Sequence, residues 1–416
     1  MSKMFMKGII TAFLVLCMAA APAAAQEFDA HFGGGTLRLD YVFCGDSQHQ
    51  AIYFREAVKT GPWAGRRHNL GSPALRGDGQ IRVLEVESGA VLYANSFASL
   101  FQEWQSTEEA KHLQKAFETC LLVPFPRHPV NVEVVLFDRH AKVSSRICHR
   151  VDPADILIRP VHQAEAVLLQ PGPSLPEAVD IVIVSEGYGP QERDRFLADA
   201  SRARDALFSH EPFTSARGRF SIRAVFVPSE DSGVSVPGKG AWKRTAVHSN
   251  FDTFYSSRYL TTSSIWALHE AIGDVPFEHI IVLANSEKYG GGGIFNSITL
   301  TTAHHPTFTQ VLVHEFGHAF GGLADEYAYD EMADTVYPPD TEPWEQNITT
   351  KVDFKSKWQD LLGADVGLYQ GAGNQTKGVW RPVPDCRMRT NQHPVFCPVC
   401  TRAISRIIDY YTESSQ

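Results

Sequence analysis

Apolar positions in the first third of the chain fall in short runs, over 36–43, 81–86, 91–97, 132–137 and 156–161, separated by Gly, Pro, Asp and Asn. Runs of that length, rich in Val, Ile, Leu and Phe and bounded by turn residues, predict strands. No regular helical period lies among them, so packed sheets, a β-sandwich, are the way to bury them. Residues 169–176 then read Leu-Gln-Pro-Gly-Pro-Ser-Leu-Pro, a linker. Beyond it, 179–185, 220–227 and 279–284 read as buried strands. Helical faces run over 191–208, where Phe196, Ala200, Ala203 and Leu207 share one side, and over 263–272 and 307–320. Strands alternating with helices predict an α/β layer. The expectation is an α+β chain of two domains: a β-sandwich over 26–170, a linker over 171–178 and an α/β catalytic domain over 179–416.

The N-terminal segment is patterned differently. Lys3 and Lys7 precede an apolar run over 8–21, and Ala23-Ala24-Ala25 supplies an A-x-A cleavage site before Gln26. This predicts a signal peptide over 1–25, and an exported protein, periplasmic or extracellular, without a membrane anchor. At 44% hydrophobic and 20% charged the composition is that of a globular protein, which excludes disorder. The net charge of -9 becomes about -11 once the two leader lysines are removed. Scattered basic residues in an acidic chain exclude nucleic acid as an expected partner.

Export permits disulfides, and six cysteines lie outside the leader: Cys44, Cys120 and Cys148 early, Cys386, Cys397 and Cys400 late. Full pairing of three early with three late would require at least one bridge between the halves, and structural bridging is the expectation. Cys397-Pro-Val-Cys400 has the spacing of half a zinc ribbon or of a redox pair, but no second C-x-x-C accompanies it.

The chemistry lies at His314-Glu315-Phe316-Gly317-His318, an H-E-x-x-H inside a helical pattern. A spacing of four puts both imidazoles on one helical face, where one Zn²⁺ can take both. Glu315 then stands beside the metal-bound water as its general base. With 17 His in the chain the motif arises by chance about 4% of the time, so its specificity rests on the residues after His318. A catalytic zinc needs a third protein ligand and an open position. Gly321 stands where a helix-ending glycine is needed, and Ala324, three further on, cannot ligate. Asp325, displaced by one residue that Gly322 can absorb, is the expected third ligand. Glu326, or a carboxylate further downstream, is the alternative.

The run 314–327, His-Glu-Phe-Gly-His-Ala-Phe-Gly-Gly-Leu-Ala-Asp-Glu-Tyr, resembles the signature of the IgA peptidase family of bacterial zinc metalloendopeptidases, which are metzincin-like zincins. Tyr289-Gly-Gly-Gly-Gly-Ile-Phe-Asn296, Ser185-Glu-Gly-Tyr188, Cys386-Arg-Met-Arg389 and Phe396-Cys-Pro-Val-Cys400 resemble that family too. The resemblance implies zinc endopeptidase activity on polypeptides, and makes Met388 the methionine beneath the zinc site.

Other candidates are weaker. The glycine run 290–293 predicts a turn or an edge strand where a substrate backbone can pair. Tyr289 and Tyr327 are candidates for hydrogen bonding an oxyanion, although structural tyrosines are commoner. His304-His305 cannot share an ion in a strand, and Ser229-Glu230-Asp231-Ser232-Gly233 reads as a solvated acidic turn before a Ca²⁺ loop. The competing functions are a non-catalytic exported adhesion protein with a structural zinc, and an exopeptidase or amidase acting on cell-wall peptides. Oligomeric state is not set by the sequence.

Overall fold

The computed structural model describes residues 28–175, 177–329 and 336–413. The predicted signal peptide lies outside them. A short helix α1 (Phe28–His31) leads into β1 (Phe32–Gly45), β2 (Gln50–Pro62), β3 (Gly79–Glu85) and β4 (Val91–Phe97). Helix α2 (Leu100–Trp104) is followed by β5 (Lys115–Pro126), β6 (Val130–Phe137), β7 (Val143–Val151) and the two-residue β8 (Arg159–Pro160). They build two four-stranded sheets, ordered β5-β1-β2-β8 and β4-β3-β6-β7. Alternate residues Leu37, Leu39, Tyr41 and Phe43 of one sheet and Ile81, Val83, Val132, Val134 and Leu136 of the other share one buried core. The predicted strand at 156–161 is reduced to β8, and Ile156 and Leu157 are 95% and 79% exposed.

A six-stranded sheet comes next, ordered β13-β14-β12-β10-β11-β9. Its strands are β9 (Ala166–Gln170), β10 (Val179–Glu186), β11 (Phe220–Val225), β12 (His279–Ala284), β13 (Gly291–Ile294) and β14 (Ile298–Thr302). The four inner strands are parallel, and antiparallel β13 and β9 form the edges. Every residue of β10 is buried, as a parallel strand covered on both faces requires. Ile181, Ile183 and Leu283 pack under α3 (Arg193–Leu207), α5 (Phe308–Ala319) and α6 (Pro398–Thr412). Val182, Val184 and Val282 face the side of α4 (Ile265–Ile272), whose Leu268 and Ile272 join Leu100 there. A hairpin of β15 (Tyr369–Ala372) and β16 (Gln375–Arg381) lies between α5 and α6 in the chain.

Buried polar ties join the two regions. Arg38, 1% exposed, donates to Asp40 at 2.8 Å and to Glu270 of α4 at 2.7 Å. Trp344 Nε1 donates to Asp78, Asn296 Nδ2 to the Ser96 carbonyl, and Tyr259 Oη to Glu103 of α2. Leaving either partner of such a buried pair alone would cost more than the pair contributes, so these ties fix the register of one region on the other.

The expected disulfides are absent: all six described cysteines are free thiols. Cys120 lies opposite Asp40 and Cys44 opposite Ala116 on the β1–β5 ladder, which sets them about 13 Å apart. A disulfide needs Cα atoms within about 7 Å. Cys148 is on the other sheet, opposite Glu133, and the late three gather with one another at the start of α6. Among the described residues no disulfide joins the halves; the hydrogen bonds and ion pairs above hold them together.

Candidate metal centre

Helix α5 carries the motif because Phe308, Leu312, Val313 and Phe316 bury one side of it in the core that also holds Ile181 and Ile183 of the sheet. That leaves His314 and His318, one turn apart, on the half-open side. Their Nε2 atoms stand 3.1 Å from each other. Each ring is oriented from behind: His314 Nδ1 lies 3.0 Å from the Arg387 carbonyl oxygen and His318 Nδ1 2.6 Å from that of Leu323. A ring that donates from Nδ1 presents the bare Nε2 lone pair, the tautomer a metal ligand needs.

The chain then reverses at Gly322, whose φ of +58° is the left-handed conformation glycine adopts freely. The turn returns Asp325 to the imidazoles, with Oδ1 3.2 Å from both Nε2 atoms. That oxygen is buried and has no well-formed hydrogen bond. Three donors 3.1, 3.2 and 3.2 Å apart nearly match one face of a tetrahedron of radius about 2.0 Å, whose edge is about 3.3 Å. The residues therefore fit a tetrahedral cation with its fourth position free.

Charge agrees with geometry. Burial opposes ionisation of Asp325, but His318 and His314 outweigh it and hold the carboxyl far below its usual range. Burial likewise opposes charge on His318, yet Asp325 and Glu315 raise it to about 9. The cluster attracts positive charge. The Glu315 carboxylate lies within 4.8 Å of the two imidazole donors. Burial raises its pKa above the ordinary value despite the two histidines.

Glu326 turns away from the histidines: its Oε1 lies 3.1 Å from Cys400 Sγ and accepts from Asn347 Nδ2 at 3.0 Å. Asn347 also clamps Ala324, accepting from its N–H and donating to its carbonyl, both at 2.8 Å. Met388 is fully buried beneath α5, and a Cβ on Gly317 would meet its sulfur at 2.7 Å. The Met388 carbonyl accepts from Glu326 N.

The glycine run serves the helix. A Cβ at Gly291 would meet the Glu315 side chain at 2.9 Å, and one at Gly293 would collide with the Glu315 carbonyl. The outer edge at Gly291 pairs with Tyr259, and Leu260 N donates to the Gly291 oxygen, so the chain itself occupies the edge expected to take substrate there.

Tyr327 stacks parallel to His314 at 6.5 Å, and the Tyr289 hydroxyl accepts from Asn391. His304 is spent on Asp199 at 2.7 Å, and Glu230 and Asp231 on Arg244. Sequence reasoning missed Asn347, and the Glu103–Tyr259 pair that backs β13, because neither lies in a spaced motif.

Two helix-borne imidazoles, a carboxylate returned by a glycine turn and an acid between the histidines define a metal-dependent hydrolase. Comparison with known families narrows the class. The family model described as IgA Peptidase M64 matches residues 167–368 and 362–408, more than half of the chain, and that of the Peptidase M64 N-terminus matches 27–147. The chain belongs to the IgA peptidase M64 family and is a metallopeptidase acting on polypeptides, not a non-catalytic adhesion protein. No curated protein matches it. Among the described residues no helix is long and apolar enough to cross a membrane.

Proposed function

We propose that this peptidase is a zinc-dependent endopeptidase in which His314, His318 and Asp325 hold the ion and Glu315 is the general base. The observation that carries the reading is the triangle of His314, His318 and Asp325 donors, 3.1 to 3.2 Å apart, with the Glu315 carboxylate within 4.8 Å of the imidazole donors. When bound, zinc supplies Lewis acidity, polarising a carbonyl and bringing the pKa of water at the free position to about 7. Glu315 takes the proton released as water attacks and returns it to the departing amine. Its burial suits that double duty, because a raised pKa lets the acid hold the proton between the two steps. The Arg387 and Leu323 carbonyls hold the two imidazoles in orientation.

The two facing sheets suit a β-sandwich over 26–170 preceding a metzincin-like domain over 179–416, and buried Met388 beneath α5 suits the methionine turn of that class. The leader-like residues 1–25 support export to the periplasm or the medium. The test is a peptide library incubated with the purified protein, with and without a zinc chelator, and read by mass spectrometry. Internal cuts that vanish on chelation are expected, and Glu315→Ala should keep its metal while losing cleavage. Cleavage by that variant at the wild-type rate would refute the mechanism, and cuts confined to chain ends would make the enzyme an exopeptidase.

A further inference from the structure

Behind the open cluster lies a second one. Cys386, Cys397, Cys400 and Glu326 are each at most 4% exposed, and one donor atom from each lies within 4.8 Å of the others. Cys386 Sγ and Cys400 Sγ are 3.8 Å apart, whereas a disulfide holds its sulfurs at about 2.05 Å. Thiolates of a tetrahedral zinc at about 2.3 Å stand about 3.8 Å from each other.

The backbone is arranged for sulfur ligands. Cys397 N donates to Cys386 Sγ at 3.2 Å and Cys400 N to Cys397 Sγ at 3.4 Å. Such N–H donors stabilise thiolate over thiol. Cys397 caps α6, so the first turn of that helix adds its positive end to the same sulfurs. Glu326 has no ion pair among the described residues, and its buried Oε2 has no hydrogen-bond partner. A buried carboxylate facing three thiols, one oxygen unsatisfied, lacks a cation. Three thiols are also an odd number, so pairing two leaves the third beside the carboxylate.

We propose that Glu326, Cys386, Cys397 and Cys400 form a second, structural zinc site, closed by four protein ligands. Each thiol and the carboxyl gives up its proton to solvent as Zn²⁺ enters, and nothing is oxidised or reduced. The ion ties together three separate stretches: the segment after α5, the Met388 turn and the start of α6. Glu326 follows Asp325 directly, and Cys386 precedes Arg387, whose carbonyl orients His314. The closed site therefore positions two ligands of the open one. It stands on its own four residues, whatever reaction the open site performs.

The test uses the full chain. Metal analysis of the purified protein should find about two zinc ions per chain. Replacement by Co²⁺ should give a near-ultraviolet thiolate-to-metal band, which a His₂Asp site has no sulfur to produce. His314→Ala with His318→Ala should lower the content to about one ion while keeping the band. An organomercurial that titrates the three thiols of the unaltered protein should release the other ion, so the outcome does not depend on whether Cys397→Ser folds. No band in the cobalt protein, or a disulfide between any two of these cysteines in peptide mapping, would overturn the proposal. If the double histidine variant still cleaves peptides, the catalytic reading fails while the band leaves this one standing.

Discussion

Asp325 and Glu326 share a peptide bond and serve opposite surroundings. Asp325 joins two imidazoles whose side chains are 12% and 16% exposed, and is itself 19% exposed. Glu326 joins three cysteines in a fully enclosed cluster. One side offers three donors and a free face; the other offers four donors and none. Access, rather than donor chemistry alone, separates a centre that can meet a substrate from one that can only hold the fold together. Successive side chains of a non-helical segment point to opposite sides, so a single stretch of backbone feeds both.

The comparison is broken hardest at its shared segment. Asp325→Ala should weaken metal binding at the open site at least about 100-fold and abolish peptide cleavage, with the melting temperature little changed. Glu326→Ala should do the reverse in its first effect, lowering the melting temperature, with activity falling as a consequence. Metal competition and thermal unfolding on the two variants check the split, and identical behaviour of both would erase the distinction. Gly293→Ala comes next. Its methyl group would press on the Glu315 carbonyl, an overpacking that should cost about 1–3 kcal/mol and lower kcat by displacing α5. Denaturant unfolding alongside kinetics would detect it. Met388→Leu, a swap of similar volume beneath Gly317, should cost less than about 1.5 kcal/mol and leave metal content intact.

Helix α5 was legible because the i, i+4 spacing of His314 and His318 coincides with an apolar face that leaves only one orientation. The place of Asp325 beside the imidazoles was legible because Gly321 and Gly322 announced a turn; that its neighbour Glu326 goes instead to the cysteines shows only in the distances. The cysteines misled because counting treats thiols as partners for one another, whereas three of them surround a carboxylate that contributes no sulfur. The glycine run misled for a similar reason, since missing side chains admit a neighbour without saying whether it is a substrate or a helix. Strands β2 and β7 escaped because their outward positions carry Arg, Glu, Lys and His, and the apolar period is broken. The expected strand at 156–161 failed because apolar Ile156 and Leu157 stand in solvent, where hydrophobicity is no guide to pairing.

The glycine turn at Gly322 also decides where the polypeptide tolerates a change of length. Deleting or inserting one residue between Gly322 and Asp325 would hand the imidazoles a different side chain and the cysteines another, disabling both clusters in one stroke. The exposed stretch around Ile156 and Leu157 touches neither, and a tag or a reporter domain spliced there would leave the catalytic half as it stands.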